Sequence, residues 1–416
     1  RPLEPLVITA RLALAGALRP WVDTADEDAP PELLEGAAAV AIHCRRVSYC
    51  IPETSEEASL ADCVGAALVG AESASLAAVL VVAMYRPTGF AERFDGSADE
   101  LELCAQRLLS SGLHTVWLLI DKCIVESRAL AERAARLRRA AQRRHVGEAD
   151  PGVQAVAHFY EDIVYPLWQH PECFGLGAPT SLACRLRRQF PSLRWPHGLD
   201  SAQHRLLIAG AGSGHQVAQA LELYADVQIV ALDLSAESLA YGQLRLFEMD
   251  AARAAARVRF IVGDICRLDA ARLGLFEMVS CIGVLHHLPR HLVRAGLGQL
   301  TRALRPGGVL QLATYSSIGV ASWHGAARAL ARNLLPSAFG DDGGLARQPS
   351  SAEMRLVREH VRRMSIEGTA LYSAAAAHLV QMTEFYSSTG LRDLLFHPCE
   401  TTFTLLEIET LLADAG

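Results

Sequence analysis

HRLLIAGAGSG, at residues 204–214, is an apolar run that ends in a glycine-rich turn. Leu206, Leu207, Ile208 and Ala209 form a short continuous apolar segment, which suits a strand buried on both faces of a parallel sheet. Gly210, Gly212 and Gly214 let the backbone turn tightly and approach a ligand closely. Residues 215–224 (HQVAQALELY) carry a helical pattern. The order strand, glycine loop, helix predicts a nucleotide-type site with a helix N-terminus aimed at the ligand.

The glycine spacing narrows the ligand. A dinucleotide fingerprint is G-x-G-x-x-G, and here His215 stands where the last glycine belongs. A phosphate-binding Walker loop needs Gly-Lys-Ser/Thr, yet the chain has one lysine, Lys122, far from this loop. What is present is G-x-G-x-G, a weak signal alone, so the following chain must support it.

Residues 227–232 (VQIVAL) are a second apolar run, ending in Asp233. An acid at the tip of the second strand can accept hydrogen bonds from both hydroxyls of a ribose. A third run, 258–262, is followed by Gly263, Asp264 and Ile265, an acid placed to meet an adenine amino group. A fourth, 276–282, closes with GVLHHL at 283–288. LRPGG at 304–308 is a turn before a fifth run, 309–315. Five apolar runs alternating with helices predict right-handed βαβ units and an α/β fold, a Rossmann-like doubly wound parallel sheet.

In these four motifs, in this order, residues 205–315 resemble a class I S-adenosylmethionine-dependent methyltransferase. The resemblance implies S-adenosylmethionine as the cofactor and no metal. Gly210, Ala211, Gly212, Ser213, Gly214 and Gln216 would wrap its methionine part. Asp233, with Leu234 and Ser235, would hold the ribose, and Asp264 and Ile265 would flank the adenine. Gly283 and Val284, on to His286, would line the pocket near the sulfonium. Many members of that family carry an acid two residues before the first glycine, where this chain has Ile208. The partner of the methionine amino group is therefore left open.

The 416 residues leave room for two domains or more, and 51% apolar with 20% charged residues describe a globular chain. A net charge of −7 argues against a general nucleic-acid binder. The cysteines are scattered, without a CxxC pair or zinc spacing, and fit reduced thiols in a cytoplasmic protein. No secretory signal pattern is visible. The chain opens on Arg1 in a helical pattern rather than on Met, so further residues are expected upstream.

Residues 1–147 read as an all-helical N-terminal domain, with helices near 6–18, 31–47, 55–69 and 73–84. The apolar span 60–84 is interrupted by Asp62, Gly70 and Glu72, so a buried helical hairpin is expected rather than a membrane helix. The arginine-rich stretch 128–144 fits a solvated helix face. Residues 148–200 form a connecting or substrate-cover segment after a linker at 147–151, and 201–316 form the cofactor-binding core. Residues 317–416 form a helical insertion after the fifth strand, beginning with a helix over 318–335, and a C-terminal segment. The family's sheet closes with two more strands, which are not found before Gly416. Either the sequence is truncated or this sheet lacks that edge.

Tyr160, Glu161, Tyr165, Pro166 and Trp168, just before the core, resemble a stretch in a bacterial group of methyltransferases with an N-terminal helical or tetratricopeptide-repeat region. CRRVSYCI at 44–51, AMYRP at 83–87 and FYSSTGLRDLLFH at 385–397 resemble the same group.

Methyl transfer is an in-line displacement, in which the protein mainly aligns acceptor and cofactor. A general base is needed only for an acceptor that carries a proton. His286 and Tyr315 are the catalytic candidates; a structural role weighs as much for His286 and for His287, and the alternative for Tyr315 is to cap the core. Tyr160, Glu161, Tyr165, His287, Tyr386, Arg392 and His397 are candidates to contact the acceptor. The alternatives are interdomain packing for the Tyr160 cluster and an Arg392–Asp393 ion pair. Residues 281–284 are not the Asn-Pro-Pro-Tyr of amide and nucleobase N-methyltransferases. The expected function is methyl transfer to a small molecule, without nucleic-acid or membrane partners. The alternatives are a protein methyltransferase that docks its partner on the helical domain, or a non-catalytic S-adenosylmethionine-binding protein.

Overall fold

The computed structural model describes residues 3–22, 29–46, 51, 53, 55–70, 75–85, 98–142, 150–168, 178–192, 203–340, 343–367 and 372–415. Residues 147–149 of the expected linker, positions 47–50 and 86–87 of the quoted motifs, and residues 169–177 and 193–200 of the connecting segment lie outside the described residues. The chain divides into two compact units. One comprises Arg1–Ala129, Leu330–Phe339 and Pro349–Leu395; the other comprises Leu130–Ala329, Gly340–Gln348 and Phe396–Gly416.

The second unit holds a five-stranded parallel sheet in the order β3-β2-β1-β4-β5. The strands are β1 (His204–Ala209), β2 (Val227–Asp233), β3 (Val258–Val262), β4 (Phe276–Ile282) and β5 (Leu304–Ala313). Successive side chains of a strand point to opposite faces, and in β1, β2 and β4 both faces are dry. Leu206 and Ile208 of β1 join Ile229, Ala231 and Met278 in one core, with Val217 and Leu221 of the helix His215–Leu223. Leu207 and Ala209 face the other way, into a core with Val230, Leu232, Phe276, Val279 and Cys281, covered by Val293, Leu297 and Leu300 of the helix Arg290–Arg302. This two-sided burial is why the strands read as continuous apolar runs rather than as alternating ones.

From β1 the chain winds outward through β2 to β3, then crosses to β4 on the other side of β1. The winding direction reverses between β1 and β4, and a crevice opens at the carboxyl ends of those strands, where doubly wound sheets bind ligands. β5 begins earlier than the sequence suggests. Leu304 pairs with Phe276 across an irregularity in the ladder, so the expected LRPGG turn lies within the strand. After β5 the expected helix over 318–335 is two, Ser317–Val320 and His324–Leu334.

The first unit is built of helices, among them Leu3–Leu18, Pro31–Arg46, Ser55–Gly70, Leu76–Ala83, Ala98–Ser110 and His114–Ile120. Its core is rich in alanine, which lets helices approach closely: Ala37, Ala38, Ala41 and Ala77 pack with Leu18, Leu80, Met84 and Leu119. The expected hairpin is present, and Val64 meets Ala78 and Val82 across it. Ser75 Oγ caps the second helix by accepting from Ala78 N at 3.1 Å. A buried Arg11–Glu57 ion pair of 2.8 Å lies beside Tyr85, with the guanidinium 4.5 Å from the ring centre. Among the described residues no helix is long and apolar enough to cross a membrane.

Candidate active site

The glycine loop leaves β1 and is held by the neighbouring strand. Gly210 N and Ala211 N both donate to Leu232 O, at 2.8 and 2.9 Å. Asp233, the last residue of β2, then clamps the loop: Oδ2 accepts from Gly212 N at 2.7 Å and Oδ1 from Ser235 N at 2.9 Å. Burial raises the Asp233 carboxyl above the usual range, against the lowering effect of the Ser235, Gly212 and Leu234 amides.

Two glycines here are steric requirements. Gly214 has φ +80°, and a Cβ on it would lie 2.8 Å from Gly242 Cα. Gly242 belongs to the helix Ala236–Arg257, and a Cβ there would lie 2.8 Å from Ser213 O. Loop and helix therefore touch backbone to backbone. On the β4 side, Gln216 Nε2 donates to Ile282 O at 3.2 Å. Ser213 Oγ and Gln216 Oε1 are buried without a hydrogen-bond partner among the described residues. A Cβ on Gly283 would meet nothing within 4 Å. Orphaned polar atoms beside open space fit a polar ligand at this loop.

Residues 160–168 run across the loop as a strap. Tyr160 O accepts from Ser235 Oγ at 2.9 Å. Tyr165 O is the nearest atom to a Cβ built on Gly212, at 3.7 Å. Trp168 Nε1 donates to Ser213 O at 2.8 Å, and Trp168 O accepts from Tyr241 Oη at 2.6 Å. Tyr160 and Tyr165 are thus placed at the loop. Glu161 is half-buried at the end of the helix Pro151–Asp162.

Past β4, a single 3-10 turn (Leu285–His287) carries His286 and His287, both buried. They join a stack of rings. Tyr315 lies on His286 at 3.9 Å and 19°, and His287 lies on His397 at 3.7 Å and 27°. Tyr160 reaches the stack at 5.6 Å from His397 and 6.4 Å from His287. Both histidines are thus in the stack. Burial pushes His286 down to about 3 and His287 to about 4, and it holds His397 well below the ordinary imidazole value. All three are uncharged at pH 7. Glu400 lies 3.2 Å from His324 Nε2 and pairs with Arg328. Burial alone would raise its carboxyl, but these partners hold it below the usual range.

Asp264 accepts from Cys266 N at 2.8 Å and caps the turn Ile265–Arg267, beside a groove that includes Leu232, Gly263 and Leu268. Tyr386, Arg392 and Asp393 belong to the first unit, where Tyr386 Oη donates to Val380 O at 3.0 Å. Sequence reasoning missed Gly242, Tyr241, Cys399, Glu400, His324 and Arg328. An isolated glycine within a helical pattern was a signal for the first; the rest carry no motif.

Residues 206–308 match the family model described as a methyltransferase domain. An uncharacterised protein of Synechococcus sp. (strain ATCC 27144 / PCC 6301 / SAUG 1402/1) is 32% identical over 177 residues, which are 41% of this chain and 39% of that protein. The chain thus spans well under half the length of that curated relative. Among solved structures, PKMT2 of Rickettsia typhi in complex with AdoHcy is 16% identical, covering 57% of this chain and 44% of that one, with a TM-score of 0.42. CalS10 of Micromonospora echinaspora, an amino pentose methyltransferase with bound SAM, is 23% identical over 40% of this chain and 58% of its own, with a TM-score of 0.25.

Proposed function

We propose that this chain, whose residues 206–308 form a class I S-adenosylmethionine-dependent methyltransferase domain, transfers a methyl group to a small-molecule acceptor. The observation that carries this is the clamped glycine loop. Asp233 fixes Gly212 and Ser235 at the switch point of the sheet, while Ser213 Oγ and Gln216 Oε1 remain as buried polar atoms without partners among the described residues. S-adenosylmethionine supplies an electrophilic methyl group on a sulfonium.

The chain's own part is to bind, align and exclude water. The loop 210–214 and Gln216 receive the methionine portion, Asp233 with Leu234 and Ser235 the ribose, and Asp264 and Ile265 the adenine. Gly283 and Val284 border the reacting end. The ring stack of His286, His287, Tyr315 and His397, with Tyr160, is the acceptor side: aromatic and uncharged at pH 7. Such a wall favours an uncharged small molecule over a charged side chain that would be desolvated without a partner.

Calorimetric titration with S-adenosylmethionine tests the cofactor. Asp233→Ala is expected to weaken binding about tenfold to a hundredfold, as loss of a charge-assisted contact worth roughly 1.5–3 kcal/mol requires. Absence of binding by the unaltered chain overturns the proposal.

A further inference from the structure

We propose that His287 and His397 act as a paired proton acceptor and proton donor that selects an uncharged hydroxyl compound as the methyl acceptor; this rests on the methyltransferase reading above. The pairing comes from the main chain of one residue. Cys399 O accepts from His287 Nδ1 at 3.2 Å, and Cys399 N donates to His397 Nδ1 at 3.1 Å. These contacts demand opposite tautomers in two neutral rings. His287 carries its proton on Nδ1 and keeps a lone pair on Nε2. His397 carries its proton on Nε2.

The two rings stack at 3.7 Å, so a lone pair and an N–H stand side by side. His397 is fully buried, and its Nε2 has no hydrogen-bond partner among the described residues of its unit. An orphaned buried donor is costly, and it marks where a ligand's polar atom belongs. The half-buried Tyr160 and Tyr315 stand edge-on to His287 at 6.4 and 6.1 Å. Tyr160 is also tied to the cofactor loop, because its carbonyl accepts from Ser235 Oγ. The pair is therefore attached to both halves of the site.

A hydroxyl satisfies such a pair with one atom: its proton goes to His287 Nε2 and its oxygen accepts from His397 Nε2. An ammonium has no lone pair for His397, and a carboxylate has no proton for His287. In the transfer, the hydroxyl oxygen gives a lone pair to the methyl carbon and the C–S pair stays on sulfur. The hydroxyl proton passes to His287 Nε2. One positive charge moves from sulfur to the imidazole, and the products are a methyl ether and a neutral thioether. The Cys399 carbonyl and the Glu400 carboxylate both favour the imidazolium so formed; it then returns its proton to water.

The test has two arms, on the full chain. Nitrogen-15 NMR of labelled histidine at pH 7, with His287→Asn and His397→Asn to assign peaks, should find His287 protonated on Nδ1 and His397 on Nε2. The same tautomer in both, or a charged ring, overturns the pairing. In the second arm, the sub-3-kDa fraction of a bacterial lysate is incubated with the chain and S-adenosylmethionine carrying a labelled methyl group. Asparagine keeps each contact to Cys399 and removes Nε2. His287→Asn should lower kcat about 10²–10⁴-fold, and His397→Asn should raise KM about tenfold with kcat less affected. Both should bind S-adenosylmethionine as the unaltered chain does by calorimetry. Label on oxygen supports the proposal. Label on nitrogen or sulfur, no transfer by a chain that binds the cofactor, or dependence of transfer on an added metal overturns it. Failure to bind the cofactor is instead failure of the methyltransferase reading itself.

Discussion

The glycine loop and the histidine stack are both built where strands of one sheet end, from opposite materials. The loop uses main-chain amides, glycines too crowded for a side chain, and one carboxylate, all contributed within residues 210–242. The stack uses side-chain rings gathered from residues 160, 286–287, 315 and 397. The loop is stiff because backbone touches backbone; the stack is sensitive because burial keeps its titratable groups uncharged. Where an ion is to be held, fixed dipoles and a carboxylate suffice. Where an acceptor is to be oriented, the proton positions of neutral rings must be set, and only distant segments supply their partners.

Acid should separate the two regions most widely. His286 and His287 have folded values of about 3 and about 4, below the unfolded value of about 6.5. Below pH 6.5 the unfolded chain therefore binds more protons, and stability falls as pH falls. Each histidine contributes about 1.4 kcal/mol per pH unit, until the folded ring itself titrates. Their charged and titratable neighbours in this unit are His397, His324, Glu400 and Arg328, and Glu400, held low, adds a loss in the same direction below about pH 4.5. Urea unfolding between pH 7 and 4 should show this slope, and His287→Asn should flatten it by one histidine's share. A slope unchanged by the variant would mean that His287 is not kept neutral by the fold.

On the loop side, Gly214→Val forces a β-branched residue into positive φ against Gly242. It should cost about 3 kcal/mol of stability and abolish cofactor binding. Urea unfolding at pH 7 and calorimetry measure the two losses; wild-type values in both would show that the loop gives way where we describe it as rigid.

The smallest effect is expected at the strap. Trp168→Phe removes the donor to Ser213 O and should cost about 1 kcal/mol, with a several-fold loss in cofactor affinity. A loss confined to stability would make the strap a brace for the loop rather than part of the cofactor site.

Much of the sheet unit was legible because its signals are local. A strand buried on both faces must be apolar throughout, so β1, β2 and β4 stood out as runs, and the crowding at Gly214 leaves room only for glycine. β5 was misjudged at its start because a pairing irregularity lets a Pro-Gly-Gly turn count within the ladder. His286, His287 and His397 were visible as residue types, but a sequence holds no record of which ring nitrogen has a partner. Cys399 and Glu400 were invisible for the same reason: a main-chain amide has no residue-type signature, and an acid becomes informative only when Arg328 and His324 are beside it.

By itself, then, the sequence determined the succession of chemistry along residues 204–315: a glycine turn, an acid at the end of the second strand, an acid after the third, and histidines after the fourth. These follow from period, burial and steric exclusion, which act over a few residues. The tertiary structure decided which residues beyond that span complete the site. It laid the strap 160–168 across the loop and brought residues 396–416 into the sheet's unit, while Pro349–Leu395 joined the helical one. Those choices depend on contacts between segments more than a hundred residues apart, such as Cys399 with His287. No local pattern encodes such contacts, because their free energy exists only once both partners are folded.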